Sequence, residues 1–239
     1  MVMEIVIEDD IEDNFENSVF ITGFHGLGWT GYIAIRHIIK SVNTKRIGYI
    51  SGDILPDIIS IEGDRLVLPF EFHQYNNFII FQPPIQPILI EPHKVIKELA
   101  EWIVQSKFKE AILIGGLDVR FQQDAQTMRI VHTKSFTKAK EFEIPLLEKS
   151  LPVRGPLALL LTHLEILNFP TLVIFPYARS DRPDPAAASV AIEFLNKFYD
   201  LKIPISQLQT DAQKIETEIA EILRQERERT EREPRDMYV

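Results

Sequence analysis

No cysteine occurs among the 239 residues, which excludes a disulfide framework and thiolate chemistry and suits a reducing interior. Basic stretches are missing too. The net charge is −9 and no lysine- or arginine-rich stripe stands out, which argues against nucleic acid as a general partner. The opening residues, Met1 to Asp10, lack the basic segment that begins a signal peptide. Apolar runs such as Leu157 to Leu161 and Thr171 to Phe175 are far shorter than a membrane span requires. A cytoplasmic protein is expected. No G-x-S-x-G motif is present, and the six histidines (His25, His37, His73, His93, His132 and His163) are scattered without the i,i+4 spacing of a zinc site. Neither catalysis nor a metal is expected. There is no internal repeat and no low-complexity linker.

What is present is the balance of a globular protein, 45% hydrophobic and 26% charged, in a chain long enough to bury a sizeable core. Glu4 to Ile7 suits an edge strand, and Ser18 to Thr22 a better one, closed by Gly23. The pattern turns helical from Gly31, with Ile33, Ile35, Ile38 and Ile39 among polar residues, and Arg46 to Ile50 forms the next strand. Strand, helix and strand in this space predict the βαβ unit of an α/β sheet. Ile58 to Ile61, Arg65 to Phe72 and Asn77 to Gln82 read as turn-separated strands, and Glu91 to Ser106 as an amphipathic helix. Ala111 to Ile114 is wholly apolar, as in a parallel sheet covered on both faces. Residues 118–151 are irregular, with a short strand predicted near Met128 to His132 and a short helix near Ser135 to Ala139. A helix from Gly155-Pro156 to Leu167, a buried strand over Thr171 to Phe175 and a helix from Ala186 to Tyr199 complete the body. The fold predicted is α/β, with helices flanking a mixed, mostly parallel sheet.

Gly26-Leu-Gly-Trp-Thr-Gly31 matches G-x-G-x-x-G between a predicted strand and a helix, and Asp53 closes the following strand. Glycines in such a turn let a pyrophosphate approach the backbone, and an acid some twenty residues on holds a ribose. Gly26, Gly28, Gly31 and Asp53 are therefore the candidate contacts of a nucleotide or NAD site. The competing explanation is a tight turn that packs its helix closely on the strand, and bulky Trp29 with no hydride-transfer site downstream favours it. Asp181 and Asp184 read as turn and helix-cap residues.

The end of the chain has a different character. A last helix starts near Pro204 with apolar positions at Ile205, Leu208, Ala212, Ile215, Ile219 and Ile222, spaced as a short heptad seam. Where the seam would continue stand Glu226 and Arg229, and Pro234 releases the last residues as an extended tail. Three parts result: a body over 1–203, an amphipathic then charged helix over 204–233 and a tail over 234–239. Met237-Tyr238-Val239, two large apolar side chains and a carboxylate on a charged stalk, has the make-up of a plug for a partner's pocket.

Taken in order, Thr22-Gly-Phe-His-Gly-Leu-Gly28, Ile114-Gly-Gly116, Gly155-Pro-Leu-Ala-Leu-Leu-Leu161 and Asp184-Pro-Ala-Ala-Ala-Ser189 resemble the archaeal branch of the proteasome-assembly-chaperone family. The resemblance covers about residues 18–200. It implies a three-layer α/β fold related to phosphorylase-type hydrolases, without known catalysis and without a cofactor. It also implies that the glycine turn serves the fold before any cofactor. Met237-Tyr238-Val239 is similar to the hydrophobic-tyrosine-any residue ending that docks between α-ring subunits of the 20S proteasome. On that resemblance Met237 would fill an apolar recess, Tyr238 would pack and hydrogen-bond, and the Val239 carboxylate would pair with a lysine. A homo-oligomer, tetramer or pentamer, is expected to present several such tails.

Overall fold

The computed structural model describes residues 3–8, 15–84, 92–149 and 151–213. Its centre is a parallel block of apolar strands. β1 (Met3–Ile7) and β2 (Val19–Gly23) are followed by α1 (Thr30–Ser41) and β3 (Lys45–Gly52). The hairpin β4 (Ser60–Glu62) and β5 (Arg65–Val67) precedes β6 (Glu71–Tyr75), β7 (Phe78–Gln82) and α2 (Pro92–Gln105). Then come β8 (Glu110–Ile114), β9 (Leu117–Asp118), β10 (Met128–His132), α3 (Pro156–Ile166), β11 (Thr171–Ala178) and α4 (Pro185–Tyr199).

The main sheet has the order β1-β3-β6-β7-β2-β8-β11-β10, with β9 extending the pairing of β11. β2 lies parallel to both β7 and β8, and β8 parallel to β11, whereas the flanking pairs β1–β3, β3–β6, β6–β7 and β10–β11 are antiparallel. Strands β2, β3, β7, β8, β9 and β11 thus share one direction against β1, β6 and β10. This is the mixed, mostly parallel α/β sheet that the sequence predicts. Side chains alternate across it, as the two-residue period of a strand requires. Ile21, Ile112 and Ile174 join the core under α1 and α4, while Phe20, Leu113 and Val173 join the core under α2 and α3. Both faces are covered, giving three layers.

The structure corrects three local expectations. The strand predicted over Arg65 to Phe72 is two strands, broken at Leu68-Pro69-Phe70, where proline has no N–H to donate to a ladder. The helix predicted near Ser135 to Ala139 is a 3-10 turn at Lys138–Phe142. The predicted βαβ unit does not place its strands side by side: β6 and β7 lie between β2 and β3. A β-bulge between Arg46 and Gly48 shifts the register of β3 against β6, and Ile47 and Ile50 both reach the core under α2 and α3.

A buried charged cluster ties β6 to its surroundings. Glu71 is fully buried and accepts hydrogen bonds from Arg65 Nη1 at 2.8 Å, from the Leu68 N–H at 3.0 Å and from His73 Nε2 at 3.0 Å. Donation from Nε2 leaves His73 Nδ1 as the acceptor facing the Thr44 hydroxyl at 3.3 Å. Arg46 adds a contact to Glu71 at 3.6 Å and an ion pair with Glu8 at 3.0 Å.

Candidate functional site

Strands β2, β8 and β11 end at one edge of the sheet, where open α/β sheets place their ligand crevices. Three loops converge there, and close packing dictates their glycines. A Cβ on Gly31 would stand 2.2 Å from the Ile114 carbonyl oxygen, and one on Gly23 2.6 Å from Gly31 Cα. The first turn of α1 therefore rests directly on the ends of β2 and β8. Gly28 has φ 60°, and a Cβ on it would meet Ala178 and Asp184 at 2.9 and 3.0 Å. Its carbonyl accepts the Asp184 N–H at 2.8 Å. Asp184 in turn caps α4 by accepting from the Ala187 N–H at 3.0 Å, and it fixes the preceding loop by accepting from the Arg179 N–H at 2.9 Å. This is the capping role its sequence position predicts.

Gly28 and Gly31 are accounted for by helix–strand contact. Gly26 differs, since a Cβ there would meet nothing within 4 Å. Asp53 is exposed just beyond the end of β3, which lies three strands from β2. At the usual interstrand spacing that is about 14 Å across the sheet. The glycine turn and the acid are not brought together in the way a ribose-binding pair requires.

The same edge holds a cavity of about 580 Å³ that sequence reasoning did not find. Its walls are mainly apolar and come from the glycine turn, the loop after β8 and the segment leading into α3; Phe24, Leu117, Phe121, Leu157 and Phe175 form much of the surface. A Cβ on Gly115 would collide with the Phe175 ring at 2.5 Å, so Gly115-Gly116 lets the chain turn tightly behind the cavity. The loop after β9 is held by Asp118, whose carboxylate accepts from Arg120 Nη2 at 2.6 Å and from the Arg120 N–H at 3.0 Å. Those bonds hold the Asp118 carboxyl down to about 2. His25 and Arg154 are the ionisable side chains in the lining. The His25 ring stacks on Tyr32 at 3.9 Å and meets the Trp29 edge at 5.4 Å. Three of the motifs quoted from the sequence, Thr22 to Gly28, Ile114 to Gly116 and Gly155 to Leu161, each supply part of its lining. Among the described residues no group of three or more histidine, aspartate or glutamate side chains could hold a metal.

Met237, Tyr238 and Val239 lie outside the described residues, as do Ile215, Ile219 and Ile222 of the predicted seam. The root of that last helix is in view. Residues 206–213 are helical, Leu208 is buried and Ile205 packs against the core of α1 and α4. His37 Nε2 donates to the Pro204 carbonyl at 2.6 Å, and the Asn196 side chain bonds both backbone groups of Ile203 at 2.8 Å. The helix thus departs from a fixed point on the α1–α4 face.

A glycine turn laid on two parallel strand ends, Gly-Gly after β8 and an Asp-Pro cap on α4 fall within residues 20–223, which match the PAC2 family. The chain belongs to the PAC2 family. Relatives of the chain include MJ0106, an uncharacterized protein of Methanocaldococcus jannaschii, 28% identical over 232 residues that cover 93% of this chain and 92% of that one. Two solved structures share the fold of this PAC2 chain. Pyrococcus furiosus PbaA, described as an archaeal homolog of proteasome-assembly chaperone, superposes with TM-score 0.79 at 25% identity, covering 99% of both chains. Pyrococcus furiosus PbaB, described as an archaeal proteasome activator, superposes with TM-score 0.72 at 16% identity, covering 92% of this chain and 98% of its own.

Proposed function

We propose that this PAC2 protein binds the 20S proteasome, as an assembly chaperone or activator, and docks through Met237, Tyr238 and Val239 in pockets of the α-ring. The observation that carries this reading is the end-to-end likeness to PbaA, with the same fold recurring in PbaB. The ending of the sequence supports the mode of docking: two large apolar residues and a carboxylate come after a run of mixed charge. The work of the body is to hold the root of the last helix and to assemble copies of itself, as a tetramer or pentamer.

Energetics require several tails. Burying Met237 and Tyr238 contributes about 1.5–3 kcal/mol each, and a charge-assisted bond to the carboxylate about 1.5–3 kcal/mol more. The lost freedom of association and of the bound side chains subtracts from that sum, so a lone tail binds weakly. Tethering several tails to one oligomer raises avidity by about 10²–10⁴. A synthetic peptide of residues 230–239 is therefore expected to displace the full chain from archaeal 20S particles only at about 10²–10⁴ times the protein's own working concentration. A peptide with Tyr238 replaced by alanine is expected not to displace it. Failure of the unaltered peptide to compete at about 10⁴ times the protein's working concentration would remove the tail from the contact.

A further inference from the structure

The cavity at the carboxyl edge of the sheet is lined from the α2–α3 side, whereas the root of the last helix packs on the α1–α4 side, and the cavity's chemistry points to a ligand of its own. At about 580 Å³ it is far larger than the voids of a packed interior and falls among small-molecule sites. It lies where parallel strands end, the usual place for a ligand in an open α/β sheet. Its floor is apolar, formed by Phe24, Leu157 and Phe175, and its edge includes Phe121, an exposed aromatic side chain. The charge around it runs against the rest of the chain. The protein carries 35 acidic and 26 basic residues, yet the described residues lining the cavity include Arg154 and no carboxylate. Arg154 is exposed at the segment that leads into α3, and it makes no ion pair with any described residue. An apolar well whose lining includes the exposed Arg154, unpaired among the described residues, suits a molecule that is apolar at one end and anionic at the other.

We propose that this cavity binds an amphipathic organic anion, with the apolar body between Phe24, Leu157 and Phe175 and the carboxylate on Arg154. The inference is independent of the proteasome reading, because its test uses the free protein. Decanoate below its micelle-forming concentration and neutral 1-decanol serve as probes of the full chain, by calorimetry and thermal melting. Decanoate at a hundredfold excess over its Kd is expected to raise Tm by about 5–10 °C. Decanol is expected to bind about tenfold more weakly, the difference a charge-assisted hydrogen bond makes.

Two variants locate the site. Arg154→Gln changes an exposed side chain and is expected to lower decanoate affinity about tenfold while leaving decanol unchanged. Gly26 lines the cavity, has an ordinary extended backbone at φ −125° and faces open space. Gly26→Phe is therefore expected to fold normally, with an unaltered circular dichroism spectrum, and to abolish binding of both probes. The proposal is overturned if decanoate leaves Tm unchanged, if Arg154→Gln binds decanoate as the unaltered chain does, or if folded Gly26→Phe still binds it. Equal affinity for decanol and decanoate would overturn it as well.

Discussion

Replacing Glu71 by glutamine is expected to cost up to about 3 kcal/mol at pH 7 and almost nothing at pH 2. Burial alone would push the Glu71 carboxyl up. Hydrogen bonds from His73, the Leu68 N–H and Arg65 outweigh it and hold the carboxyl down to about 2, from an ordinary value of 4.5. A carboxyl whose folded value is depressed stabilises the protein above its unfolded value, and that stabilisation is lost as pH falls through the folded value. Here the window runs from about pH 5 down to about pH 2, and a depression of this size corresponds to about 3 kcal/mol. The Glu71 side chain is buried while its partner Arg65 is partly exposed, so solvent screens part of the interaction and about 3 kcal/mol is the upper end. Urea unfolding of both forms at a series of pH values measures it: the gap in unfolding free energy closes steadily as acid is added. A gap that stays constant with pH would assign the loss to packing and leave the charge without a role.

The second large effect lies in the glycine turn. Gly31→Ala is expected to cost about 3 kcal/mol, since its Cβ would stand 2.2 Å from the Ile114 carbonyl oxygen and 2.9 Å from Gly23 Cα. Both are backbone atoms of the central strands or their ends, and neither can swing aside as a side chain does. Gly26→Ala, five residues earlier, is expected to stay within about 0.5 kcal/mol of the original, because the added methyl meets nothing. Thermal melting of the two variants side by side separates a turn shaped by helix packing from one whose glycines are needed equally. Comparable losses at both positions would contradict the packing explanation.

The sequence was most informative where local pattern and fold agree. Ala111 to Ile114 is apolar at every position because both faces of β8 are covered, and Asp184-Pro185 starts α4 in the way its residues imply. The order of strands was not legible. That β3 lies beside β6 results from the antiparallel path through β6 and β7, and no feature of Arg46 to Ile50 specifies a partner so distant in the chain. The spacing of Gly26, Gly28, Gly31 and Asp53 resembles a nucleotide site for the same reason: spacing along the chain does not fix which strands become neighbours. The cavity was hidden because its walls come from segments far apart, and Phe24, Phe121 and Leu157 each pass for ordinary core or surface residues when read singly. Glu71 was also invisible as a buried charge, since its partners Arg65 and His73 gain meaning only after Pro69 breaks the strand.

Binding to archaeal 20S particles, measured by surface plasmon resonance for the intact chain and for one lacking Met237 to Val239, tests proteasome docking most directly. Docking by the tail predicts saturable, slowly dissociating binding of the intact chain and loss of that signal on deletion, with the melting temperature unchanged. Equal binding by both forms would move the contact to the folded body, and no binding by either would contradict the proteasome reading itself.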